Sequence, residues 1–195
     1  MDEIRDEQLV DYFRESGEIR HFNELVIRHI GKVRAMIYPM VLNNADADEL
    51  TQEVFLRVVK GISEFRGKSR FSSWLYRITI NTVYSFLRKR SNRPAEHYAE
   101  PPEQPNDSSD PADTLMSGET DAGITNALAS LSPILRSAIT LTALHGMSVR
   151  EAARAEDCLT ATMYWRVHEA RRILKKKLDK DSTADCTDRT DRKKL

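Results

Sequence analysis

The fold class the sequence predicts is all-α: two small helical domains joined by a flexible acidic linker. Three observations predict it. Apolar residues recur at spacings of three and four on both sides of a central stretch, the period of helices with one buried face. No segment shows a convincing period of two, the mark of a strand. Between the periodic parts, Pro94 to Gly123 sets Pro94, Pro101, Pro102, Pro105 and Pro111 among Asp, Glu, Ser and Asn, with almost nothing to bury against the entropy of ordering. The expected boundaries are a first unit over 1–93, the linker over 94–123, a second unit over 124–180 and a disordered tail over 181–195.

In the first unit, Phe22, Leu25, Val26, His29, Ile30, Val33, Met36 and Ile37 form one apolar helical stripe. A second helix opens where Asp46 can cap and Glu49 follows three residues on, as in a capping box. Its core face is Leu50, Val54 and Val58, while Asp46, Glu49, Gln52 and Glu53 share a neighbouring face. Gly61 and Gly67 punctuate the connection to Ser69. A long helix from about Ser72 to Arg90 then buries Leu75, Ile78, Val83 and Phe86 or Leu87.

The second unit starts with Ile124 and Leu128, then has Ser132 as a cap before Pro133 at the first helical position. That helix (Ile134, Leu135, Ala138, Ile139, Leu141) stops near Gly146. Ser148 with Glu151 forms the next capping box, Asp157 and Cys158 make a turn, and a longer helix begins near Thr160. A core stripe of Met163, Val167, Ala170 and Leu174 turns Tyr164, Trp165, His168 and Glu169 away from the core, at about 100° per residue. Helix, tight turn and helix with a basic end suits a major groove.

The 195 residues, 40% of them hydrophobic, can bury one or two small cores. Formal net charge is zero, yet the charge is segregated. From Arg57 to Arg93 cations dominate, with Glu64 the one acid; from Pro94 to Gly123 there is no Lys or Arg; charge turns positive again from Arg166 to Lys180. Two cationic surfaces separated by an anionic tether are compatible with nucleic acid despite the neutral sum. Aromatics interleave with the first set of cations, the mix that stacks on unpaired bases while neutralising phosphates. Cys158 and Cys186 are too few for a disulfide framework or a zinc site, which suits a reduced cytosol. No signal peptide or apolar run of about 20 residues is present, so a soluble, cytoplasmic protein without membrane insertion is expected.

LTQEVF, FRGKSRFSSWLYRITIN and the later helix-turn-helix together resemble bacterial sigma factors of the extracytoplasmic function group, RNA polymerase subunits that keep only the second and fourth conserved regions. The resemblance covers about Leu9 to Arg93 and Thr125 to Leu178, and its first half carries the more specific pattern. It implies a region 2 bundle and a region 4 helix-turn-helix, with core RNA polymerase as partner through the beta-prime clamp helices and the beta flap. It also implies promoter DNA, double-stranded and melted, and an anti-sigma factor.

By the same resemblance Asp46, Glu49, Gln52 and Glu53 dock the basic clamp helices. Lys68, Ser69, Arg70, Phe71, Trp74, Arg77 and Asn81 capture and melt the minus-ten element, with Arg88, Lys89, Arg90 and Arg93 on upstream duplex phosphates. Trp74 has a competing reading as a core residue, because it lies within three or four residues of Leu75 and Ile78 on the helix. Thr162, Tyr164, Trp165, Arg166, His168, Glu169 and Arg172 face the minus-thirty-five element. Here the chain departs from relatives, with Ala161, Thr162, Met163, Tyr164, Trp165 and Arg166 where they carry Gly-Thr-Val-x-Ser-Arg, so no promoter sequence is assigned. Glu169 either accepts a hydrogen bond from a base or meets a protein. The linker is either a spacer or a polyanion that imitates nucleic acid. A helix-turn-helix regulator acting without polymerase is the alternative function. An enzyme is disfavoured, because His21, His29, His97, His145 and His168 are scattered without a nucleophile, metal or phosphate-loop spacing; no cofactor or metal is expected.

Overall fold

The structure, a computed structural model, describes residues 4–91 and 123–188, with side chains through Leu178. The linker expected over 94–123 therefore lies outside the described residues but for Gly123, as do Arg93 and the last part of the tail. Among the described residues all regular structure is helical.

The first unit holds α1 (Asp6–Ser16), α2 (Ile19–Val41), α3 (Asn44–Gly61), a 3₁₀ turn (Ile62–Glu64) and α4 (Phe71–Ser91). Its core joins Leu9, Leu25, Val33, Leu50, Val54, Phe71, Leu75 and Val83. The expected apolar stripe on α2 is buried except at its edges, where Ile30 is exposed and Val26 half-buried. The cap of α3 is not Asp46. Asn43, in extended backbone, accepts the Asp46 amide at 2.8 Å, so Asp46 sits inside the first turn and complements the helix dipole there. On α4, Ile78, Phe86 and Leu87 are only partly buried, and Thr79, Ile80 and Thr82 are buried instead.

A carboxylate from α1 starts α4. Glu7 Oε1 accepts the Phe71 amide at 2.9 Å, satisfying one of the donors that a helix N-terminus leaves orphaned. Asp6, beside it, binds His29 Nε2 at 2.7 Å and Arg28 at 3.2 Å, fixing α1 to α2.

The second unit holds α5 (123–129), α6 (Pro133–Ile139) continued by a π-helical turn (Thr140–Leu144), α7 (Val149–Ala155) and α8 (Thr160–Asp188). Ser132 occupies the N-cap position of α6 but makes no side-chain cap bond. The Ser148–Glu151 capping box forms in both directions. Asp157 takes φ +52 in the tight turn, a left-handed conformation that Asp tolerates better than most residues. α8 continues as helical backbone to Asp188.

The two units share apolar surface. Met36 of α2 and Ile80 of α4 pack in one cluster with Ala138, Leu141, Ala152, Met163 and Val167. A separate cluster of Leu131, Leu135, Ile139 and Ala170 belongs to the second unit alone.

Candidate nucleic-acid interface

At about 100° per residue, Trp74, Arg77, Asn81 and Arg88 fall on one face of α4. Arg77, Asn81 and Arg88 are exposed there, and Trp74 is half-buried. Lys68, Ser69 and Arg70 are exposed on the loop that leads into the helix, where Gly67 turns the chain at φ +66. Loop and α1 together border a cleft of about 1020 Å³ lined by Arg5, Glu7, Arg28, Lys32, Lys68 and Arg70, among others. Arg5 and Lys32 were not expected at this site. On the sequence they are ordinary helix-surface cations, and only the fold brings them beside the loop.

Phe71 is a correction. It is 0% exposed and packs among His29, Phe65 and Trp74 at ring-centroid distances of 5.5, 5.9 and 5.8 Å, so it is a core residue with no face free for a base. Trp74 is half-buried. One side meets Phe65 and Phe71, and the rest lines a groove with Arg70 and Arg77.

On α3, Glu49 and Gln52 are exposed, while Glu53 is half-exposed and paired with Arg57 at 2.5 Å. Asp46 is bound by Arg90 at 2.9 Å. That pair joins two residues expected to meet different partners, one polymerase and the other DNA. Arg90 is exposed and Asp46 partly so, and a pair this open to water contributes about 0 to 1 kcal/mol.

On α8, Tyr164 and Trp165 are 61% and 62% exposed, large apolar faces held in water on a helix whose opposite side is core. His168 is exposed beside them and Thr162 is half-buried. Glu169 grips Arg172 through two hydrogen bonds of 2.8 and 2.6 Å. The bond from Arg172 draws the Glu169 carboxyl below its ordinary range.

Arg166 is the second correction. Its guanidinium is bound to Glu156, whose side chain is 1% exposed against 19% for Arg166. Turned inward to neutralise a buried carboxylate, it is not presented to DNA. Burial pushes the Glu156 carboxyl up, against the pull of Ser137, Arg166 and Tyr84. Among the described residues no group of His, Cys, Asp and Glu could hold a metal ion.

Residues 25–93 match the family model described as Sigma-70 region 2, and residues 122–174 match Sigma-70, region 4. The chain is 31% identical over 186 residues to the ECF RNA polymerase sigma-E factor of Haemophilus influenzae, covering 91% of this chain and 97% of that one. It is 31% identical over 185 residues to the protein of the same name from Escherichia coli K12, covering 91% and 96%. Among solved structures, it resembles CnrH in complex with the cytosolic domain of CnrY, with TM-score 0.66 and 26% identity over 90% of this chain and 96% of that one. It also resembles the sigma factor RpoE of Bartonella quintana in complex with the anti-sigma factor NepR, with TM-score 0.61 and 27% identity over 81% and 96%.

Proposed function

The chain belongs to the sigma-70 family, in its extracytoplasmic function group, as a factor that directs RNA polymerase to promoters for initiation, and from that premise we propose which of its surfaces meets which partner. Glu49, Gln52 and Glu53, with Asp46 once Arg90 lets go, form the acidic face of α3 that docks a basic helical pair on core polymerase, the beta-prime clamp helices. The second unit reaches the beta flap. With core polymerase as its partner, the protein works in the cytoplasm.

Minus-ten capture belongs to Lys68, Ser69, Arg70, Trp74, Arg77 and Asn81. The observation that carries this reading is the exposed cationic face of α4 running into the open cleft beside the loop. Backbone phosphates follow Arg77, Arg88 and Arg90, an unpaired base stacks on the free side of Trp74, and the cleft receives a nucleotide drawn out of the duplex. Phe71 supports this surface from beneath.

Tyr164, Trp165, His168 and Glu169 face the major groove at the minus-thirty-five element, with Thr162 and Arg172 at the margin. An anti-sigma factor is a further partner, because the sigma factor RpoE, which this chain resembles, was captured with the anti-sigma factor NepR. The test is DNA opening by the reconstituted holoenzyme. Trp74→Ala and Asn81→Ala should bind duplex promoter but open it poorly, and a pre-melted bubble should restore transcription. Permanganate footprints on linear duplex that match wild type would overturn the assignment.

A further inference from the structure

The first two turns of α8 present no free Lys or Arg on the face turned away from the core. At about 100° per residue, Trp165 stands nearly opposite the buried stripe of Met163, Val167 and Ala170, with Tyr164 on one flank and His168 between the two rings. Arg166 is held inward by Glu156. Arg172 lies two turns below Trp165, and its Nε and Nη2 are both taken up by Glu169, at 2.8 and 2.6 Å. The commonest specific contact to a base pair, a Lys or Arg forked onto guanine O6 and N7, is therefore not on offer from these turns.

The face offers aromatic rings instead. Tyr164 and Trp165 are well over half exposed, and neither enters the apolar clusters of the second unit, so the folded chain alone gains nothing from leaving that area in water. Further along the helix Arg171, Lys175, Lys176 and Lys177 are exposed. A recognition helix puts its N-terminal turns against base edges, and cations beyond them can hold phosphates. Rings at the base-reading turns with cations after them suit duplex DNA better than an apolar protein surface, which would leave those cations without a counter-charge.

In the major groove the 5-methyl group of thymine is the apolar feature of a base edge, and it is what an aromatic ring can recognise there. We propose that Trp165 sets specificity at the minus-thirty-five element by packing on a thymine methyl, while Tyr164 covers the neighbouring deoxyribose and turns its hydroxyl to a phosphate. The inference rests on the proposed seating of this face in the major groove. To that seating it adds the base pair: an A·T pair under Trp165, with no guanine required at that position. Burying one methyl group is worth roughly fourfold in affinity, so the preference is readable in a binding curve.

The test uses holoenzyme reconstituted from the full chain and core polymerase. Selection on randomised upstream duplex first gives the preferred motif. The selected duplex is then remade with each thymine in turn replaced by deoxyuridine, which removes the methyl and leaves the pairing intact. In wild type one such replacement should weaken binding roughly fourfold, and Trp165→Ala should bind the thymine and uracil duplexes alike at that position while matching wild type at the others. Cytosine in place of that thymine should weaken wild-type binding, and 5-methylcytosine should recover part of the loss. The thermal melt of Trp165→Ala by circular dichroism should match wild type, because the ring lies outside the core. Deoxyuridine tolerated at every position, or a uracil effect that persists in Trp165→Ala, overturns the methyl contact. If the motif still shifts in Trp165→Ala, the groove seating stands without it. A motif identical in wild type and in the double variant Tyr164→Ala, Trp165→Ala overturns both, and assigns this face to a protein.

Discussion

Replacing Phe71 separates a core role from a DNA role more sharply than any other change near the minus-ten surface. The ring is fully buried against His29, Phe65 and Trp74, and truncating such a side chain to Ala costs about 3 to 5 kcal/mol. Set against a total stability of about 5 to 15 kcal/mol, and a urea slope of about 2 kcal/mol per molar, the midpoint should fall by roughly 2 M. Phe71→Leu keeps most of the volume and should cost under about 1.5 kcal/mol, a fall of well under 1 M. Loss of a stacked base would cost about 1 to 3 kcal/mol of DNA opening with no change in midpoint. Urea titration by circular dichroism and permanganate footprinting on the same variants decide between these. Footprints should weaken only as far as the folded fraction does. A Phe71→Ala protein with a wild-type midpoint and a selective loss of opening would refute the core placement.

Reversing Glu49 and Glu53 to Lys should abolish core polymerase binding by fluorescence anisotropy while leaving helicity unchanged, since both carboxylates are at the surface. Glu169→Arg removes the carboxylate that holds Arg172 and should strengthen binding to unrelated duplexes while relaxing preference at one base pair, a discrimination of about 1 to 3 kcal/mol; selection on randomised upstream DNA that returns an identical motif would mean that Glu169 contacts protein. His145 is lowered by burial, so the unfolded chain binds its proton first. Its contribution to stability is complete above pH of about 6.5 and is lost as pH falls below that value. Glu156, raised by burial, acts with the opposite sign from about 4.5 upward. His145→Gln should therefore flatten the loss below about 6.5 in urea midpoints measured against pH, and an unchanged slope would contradict the burial of His145.

Helical periodicity made most of the fold legible. Met163, Val167 and Ala170 are buried at the expected spacing, and Ser148 with Glu151 closes the capping box that the four-residue pattern announces. What stayed hidden depends on residues far apart in the chain. Nothing local marks Glu7 as the acceptor for the Phe71 amide. Phe71 resembled a stacking residue because aromatics beside cations have one composition whether they face a base or one another. Arg166 looked like part of the recognition face because sequence could not show that Glu156 is buried beside it. Tyr76, Ile80 and Tyr84 form a second apolar stripe on α4, turned from the first by about a quarter turn. A stripe of that kind has meaning only once a second unit is there to meet it.

Promoter-directed initiation is tested most directly by run-off transcription on genomic fragments with purified core RNA polymerase, with and without the full chain. The account predicts discrete start sites that appear only with the chain, lie downstream of a shared pair of elements, and vanish with Glu49→Lys, Glu53→Lys. Transcription that is the same in the presence and absence of the chain, together with no binding to core polymerase, would contradict it.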